Sequence, residues 1–306
     1  MGMYEVEFVS SQVRLAGSLA LPQGAGNGCP GVVLVGGSGP SERDNDSFFP
    51  PLRHHLLDAR FAVLSYDKRG VGGSSGDWRE GTLSDLATDA KNAVHFLRSQ
   101  PGVRPDAVGL FGHSEGGWVA LRAAASLDDM AWVVTTSCPG VSPAVQERYA
   151  LANYLQGTYL DSQGDTDRTL DLYDRLIEAG RSDADFATAM QIVDAAGRPP
   201  GLAYYWSDLD ERLWGFLKRK QDHDPTADLL GLRCPHLAFL GGTDPLVPVA
   251  ETLNVLGAVA CRAERPPQAT LTVEVLPGAD HRLRLPEATE PEPTYFESLT
   301  SWLRRH

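Results

Sequence analysis

The run Ala107-Val108-Gly109-Leu110-Phe111 passes directly into Gly112-His113-Ser114-Glu115-Gly116-Gly117, and residues 118–127 then continue with helical spacing. An apolar run of this kind reads as a strand buried on both faces, and so as part of a parallel sheet. The glycines let strand and helix approach without a Cβ clash, and leave the serine on a tight turn with its hydroxyl clear of the sheet. The segment is strand, sharp turn, helix, and it commits the chain to an α/β architecture.

The rest of the sequence repeats that alternation. Residues 4–9 and 13–21 alternate apolar and polar, which predicts an antiparallel hairpin. Short runs at 32–35, 61–66, 132–136, 237–240 and 271–276 join 108–111 as buried strands. Helical spacing occupies 48–59, 83–97 with Thr82 as N-cap, 249–260 and 294–303. Strand following helix following strand implies right-handed crossovers and a sheet with helices on both faces. Residues 141–232 break the pattern: they hold no convincing strand, but amphipathic stretches such as 145–155 and 169–179. We read two units, a core from 1–140 and 233–306 and a helical cap inserted at 141–232. The cap carries Tyr149, Tyr154, Tyr159, Tyr204, Tyr205, Trp206, Trp214 and Phe216. Most of these are expected to form its own core; Tyr154, Tyr205 and Trp206 are named as candidates to line a pocket above the sheet.

Composition removes several function classes. A net charge of −13 repels phosphate backbones and anionic membranes, so neither nucleic acid nor membrane is an expected partner; a homodimer stays open. No leader-like or bilayer-spanning run is seen, and a cytoplasmic location is the default expectation. The four cysteines, Cys29, Cys138, Cys234 and Cys261, form no Cys-x-x-Cys pair and are read as reduced. No metal and no cofactor is called for.

Gly112-His113-Ser114-Glu115-Gly116 has the Gly-x-Ser-x-Gly form of a nucleophile turn. A serine hydroxyl is a weak nucleophile at neutral pH and needs a base, which in turn needs a carboxylate to fix its tautomer. His281, in a loop directly after the last strand, is the candidate base. His54, His55, His95, His113, His223, His236 and His306 are assigned structural or exposed roles. Asp244, in Gly241-Gly242-Thr243-Asp244-Pro245 after another strand, is the candidate orienting acid, with Asp280 as runner-up. The developing oxyanion requires two donors: the backbone N–H of Glu115, and that of Ser38 in Gly36-Gly37-Ser38-Gly39-Pro40, with Gly37 second and named also as a substrate contact. That loop lacks the Gly-Lys-Ser/Thr ending of a phosphate loop.

On these residues the chain resembles the α/β-hydrolase superfamily, and within it the bacterial serine esterases and dienelactone-hydrolase-like proteins. GGSGPSERD at 36–44 is similar to the family's His-Gly-Ser-Gly-Pro-x-x-Arg-Asp loop, 66–74 to its Tyr-Asp-x-Arg-Gly-x-Gly-x-Ser turn, and GHSEGG to its elbow. One departure is Gly36, where the family pattern has histidine, which removes a brace from the oxyanion turn. Arg43, Asp44, Asp67 and Arg69 are read as a structural ion-pair set. The resemblance implies acyl transfer on a small to medium apolar carboxylic ester. Thioester and lactone need the same constellation, and a non-hydrolytic biosynthetic or ligand-binding role on this fold is the rival reading.

Overall fold

The computed structural model describes residues 2–24, 28–158, 163–199, 201–202 and 209–306. Eight strands form one sheet in the order β1-β2-β4-β3-β5-β6-β7-β8. β1 (Gly2–Ser10) and β2 (Val13–Leu21) are the expected hairpin, and β2 runs antiparallel to β4 (Ala62–Tyr66). From β4 onward every pairing is parallel, through β3 (Cys29–Val35), β5 (Val103–His113), β6 (Val133–Thr136), β7 (His236–Gly241) and β8 (Leu271–Leu276). β3 and β5 begin several residues before their apolar runs. Pro30 in one and Pro105-Asp106 in the other interrupt the sequence pattern, but Cys29 still pairs with Val103 across a register shift.

Alternate residues of the inner strands feed two cores, as a doubly covered sheet demands. Val33, Val35, Leu64, Val108 and Leu110 pack on one side with α2 (Leu83–Arg98), α3 (Glu115–Ala125) and α9 (Val249–Ala260). Val32, Leu34, Val63 and Phe111 pack on the other with α1 (Phe49–Asp58) and α10 (Pro293–Leu303). Thr82 caps α2 as expected: its hydroxyl accepts from the Asp85 N–H at 3.1 Å and the Asp85 carboxylate accepts from the Thr82 N–H at 2.8 Å.

Between β6 and β7 lie α4 (Pro143–Thr158), α5 (Gln163–Arg181), α6 (Phe186–Ala195), α7 (Glu211–Lys220) and α8 (Pro225–Gly231). α4, α5, α6 and α7 share an apolar cluster of their own, around Leu151, Leu155, Leu172, Tyr173, Leu176 and Trp214. They meet the sheet unit at a short 3₁₀ turn, Trp78–Glu80, where Trp78 stands edge-on to Phe216 and Arg79 and Asp77 pair with Asp210 and Arg212. All four cysteine thiols are free. Among the described residues, no helix is long and apolar enough to cross a membrane.

One buried histidine carries a stability consequence. His236, at the start of β7, reaches the Thr135 hydroxyl at 2.9 Å, and burial, with Arg265 nearby, pulls its pKa down to about 3. The unfolded chain therefore binds a proton at this side chain below about pH 6.5 that the folded protein does not. Its contribution is complete above that value and falls as the pH drops, by at most about 1.4 kcal/mol per pH unit. Denaturant unfolding at about pH 7.5 and about pH 5 is expected to show lower stability in acid, with a shallower slope for His236→Gln; an unchanged slope in the variant refutes the assignment.

Candidate active site

Ser114 caps α3 with φ 55° and ψ −125°, a left-handed conformation strained for a residue with a side chain. What holds it there is crowding. A Cβ on Gly112 would stand 2.2 Å from the Gly116 carbonyl oxygen, and one on Gly116 would stand 2.3 Å from that of Val35, so both positions must be glycine. The Ser114 N–H donates to the Thr136 carbonyl at 2.9 Å, which fixes the turn to the neighbouring strand.

His281 and Asp244 arrive from the loops after β8 and β7. The Nδ1 of His281 lies 2.7 Å from Oδ2 of Asp244, whose side chain is fully buried. The other carboxylate oxygen accepts from the Leu246 and Val247 N–H groups at 2.8 and 3.1 Å, so the acid is rigidly aimed. Asp280 instead pairs with Arg284 and accepts from the backbone of Arg282 and Arg284. Ser114 and His281 line one cleft of about 960 Å³, together with Gly37, Ser38, Trp78, Phe216, Leu213, Leu217 and Leu246. Of the remaining sequence candidates, Tyr154 packs against the apolar cluster of the inserted helices and is not among the described residues that line the cleft. Tyr205 and Trp206 lie outside the described residues.

The glycine-rich loop after β3 is braced by side chains the sequence did not single out. The Gly37 N–H donates to Oδ1 of Asn45 at 3.0 Å, which ties up that amide, and Ser41 Oγ lies 3.1 Å from the same oxygen. The Asn45 amide then meets Nδ1 of His113 at 2.9 Å, and Nε2 of His113 lies 3.3 Å from the His281 carbonyl. Burial, and then the neighbouring His281, hold the His113 imidazole well below the ordinary histidine range, so it stays neutral and serves as a strut. Gly36 has its explanation here: a Cβ would stand 2.1 Å from Ser41 Oγ, so a histidine does not fit while Ser41 and Asn45 occupy that space. A motif departure from histidine to glycine, followed by Ser and Asn a few residues on, was the available signal.

The Glu115 side chain is the second unforeseen feature. Only 1 % exposed, it meets Lys68 Nζ through Oε1 at 3.0 Å and Lys220 Nζ through Oε2 at 3.0 Å. Lys220 also reaches Glu147 of α4 at 3.3 Å. Burial alone would push the Glu115 carboxyl up, but the two ammonium groups outweigh it and hold the pKa at about 2. The four residues read as a structural ion-pair set are all in ion pairs, one within the set and two with partners outside it. Arg43 grips Asp67 through two nitrogens at 3.0 and 2.8 Å, Arg69 grips Asp89 at 2.7 Å, and Asp44 pairs with Arg53. Among the described residues, no group of His, Cys, Asp and Glu side chains is arranged to hold a metal ion.

A sheet of this order, with a strained serine after β5 and a histidine–carboxylate pair in the loops after β8 and β7, has the plan of the hydrolases built on a doubly covered α/β sheet. The chain belongs to the alpha/beta hydrolase family, whose model matches residues 32–295. It is 32% identical over 145 residues to the thiohydrolase aneE of Aspergillus aculeatus, covering 47% of this chain and 43% of that protein. It is 27% identical over 234 residues to the esterase EstD of Thermotoga maritima, covering 75% of this chain and 50% of that one. The matches thus span about half the length of these curated relatives. Among solved structures, an esterase of Pyrococcus furiosus superposes with a TM-score of 0.63 at 17% identity, over 99% of this chain and 90% of that one, a likeness of fold.

Proposed function

We propose that this hydrolase cleaves carboxylic esters through an acyl-enzyme on Ser114. His281 takes the serine proton, and Asp244 holds the imidazole in the tautomer that presents a free Nε2. The Ser38 and Glu115 backbone N–H groups receive the oxyanion; the second belongs to the first turn of α3, where N–H groups have no intrahelical acceptor. Water then releases the acid. The observation that carries this reading is the 2.7 Å bond between His281 and Asp244 at the edge of the cleft that Ser114 also lines.

An apolar acyl or alcohol group would lie against Trp78, Leu213, Phe216, Leu217 and Leu246, which form part of a wall that also carries charged side chains such as Asp46, Arg79, Arg282 and Arg284. The inserted helices supply Leu213, Phe216 and Leu217, and act as a cap over the site. Thioester cleavage is the second reading, favoured by the 32% identity to a thiohydrolase over nearly half the chain. The test is a matched series of p-nitrophenyl esters and acyl thioesters of increasing chain length, run beside labelling with a fluorophosphonate. The expected outcome is single-site labelling at Ser114 and faster turnover of the oxygen esters; a higher kcat/KM on every thioester transfers the assignment to thioester cleavage. No label and no turnover on either series removes the acyl-enzyme reading.

A further inference from the structure

Lys68 follows β4 and is buried beneath the loop that holds Ser38. Its Nζ donates to the Gly37 carbonyl at 2.6 Å and to Glu115 at 3.0 Å, and its own N–H donates to the Ser41 carbonyl at 3.0 Å. The carbonyl of Gly37 and the N–H of Ser38 belong to one peptide plane. With no cis bond in the described chain, they point in opposite directions. A group that anchors the carbonyl on the buried side therefore aims the N–H toward the cleft. The preceding peptide is pinned independently, by the Gly37 N–H to Asn45. In a loop containing Gly36, Gly37 and Gly39 the intrinsic cost of rotating such a plane is small, so its orientation depends on these two anchors, with a longer bond from the Ser38 hydroxyl to Oε2 of Glu115 at 3.5 Å beside them.

The anchor is itself held. Glu115 takes Lys68 on one carboxylate oxygen and Lys220, from the end of α7, on the other. Lys68, Glu115 and Lys220 are each less than a tenth exposed, and Glu147 supplies the fourth charge, so the cluster is neutral in sum. A lysine placed this way has little freedom to leave the Gly37 carbonyl, because its ammonium would abandon a buried carboxylate.

We propose that Lys68 is a positioning residue for ester cleavage: by anchoring the Gly37 carbonyl it sets the Gly37–Ser38 peptide so that the Ser38 N–H meets the oxyanion. This rests on the acyl-enzyme reading above. It adds that the oxyanion turn, lacking the family's histidine at position 36, is oriented by a lysine held by the residue next to the nucleophile.

The test compares Lys68→Met with the wild type on p-nitrophenyl butyrate, rates being normalised to the active sites titrated with a fluorophosphonate so that misfolded protein does not count. The expected result is a kcat about 10- to 100-fold lower, the range below loss of a whole oxyanion donor, with KM within about threefold. Affinity for a trifluoromethyl ketone, whose serine adduct places an oxyanion in the same spot, should fall by the same factor. Lys68→Met leaves one Glu115 oxygen unpaired, so the double variant Lys68→Met/Glu115→Gln separates charge imbalance from peptide orientation: Lys220 keeps Glu147, and the loss should persist. Recovery of kcat in the double variant, or a Lys68→Met kcat within threefold of wild type, overturns the proposal while the acyl-enzyme reading stands. A wild type that neither labels nor turns over removes both.

Discussion

Replacing Ser114 by alanine is expected to lower kcat on p-nitrophenyl esters by on the order of 10⁶ and to abolish fluorophosphonate labelling, with the melting midpoint unchanged or raised. The loss is large because, among the described residues, no other side chain occupies the strained turn after β5. Cys138, the nearest thiol in sequence, packs under the elbow against Gly117, and burial pushes its pKa far above the ordinary thiol range. Stability should not suffer, because the Ser114 side chain makes no cap bond to α3 and sits at φ 55°. Alanine keeps the strained backbone without a hydroxyl to place. An alanine variant retaining a hundredth of wild-type turnover would assign the chemistry to another group.

Asp244→Asn should cost about 10⁴ in kcat at neutral pH, with little change in KM. The two carboxylate oxygens do different work. Oδ1 accepts from the Leu246 and Val247 N–H groups, and an asparagine carbonyl can keep both bonds. The amide NH₂ then faces Nδ1 of His281 in place of an acceptor. That nitrogen must become the acceptor, its proton moves to Nε2, and the imidazole can no longer receive a proton from Ser114. The fold is retained because the loop bonds are retained, so circular dichroism and melting should match wild type. If Asp244→Asn stays within tenfold while Asp280→Asn collapses, the acid has been misassigned; the Asp280 contacts to Arg284 and the Arg282 N–H argue against this.

Much of the architecture was legible because it follows from chemistry local to the chain. The hairpin showed as alternation, the inner strands as aliphatic runs, α2 as Thr82 before an amphipathic stretch, and the elbow as glycines around a serine. His281 and Asp244 could be chosen because each follows a strand, and parallel strands deliver their trailing loops to one edge of the sheet. Their 2.7 Å contact spans 37 residues of sequence, and its legibility rests on the chemical need of a serine for a base and an acid together with the placement of both after strands.

The struts were not legible, for identifiable reasons. Asn45 falls in a polar stretch that reads as an ordinary turn, and only the occupied space around Gly36 reveals its role. Lys220 ends a Lys-Arg-Lys run, which reads as a solvated helix terminus; in the structure Lys220 turns inward to two carboxylates while Lys218 pairs with exposed Asp183. Glu115 resembles a residue favoured at a helix start by the backbone dipole. Only the arrival of α7 over the elbow turns it into a bridge. Tyr154 reads equally as a pocket or a core residue, because large aromatics suit both and sequence does not say which face of α4 is turned inward.

The chain from Gly37 through Asn45 and His113 to the His281 carbonyl has a consequence for how the molecule assembles. Its first link, Gly37 to Asn45, is local, but the other two join residues separated by 68 and 168 positions, so neither of these can close until the sheet from β3 through β8 is paired. Loop-closure entropy delays such distant contacts, and central parallel pairing is slow to nucleate. During renaturation the helical signal is therefore expected to return before hydrolytic activity does.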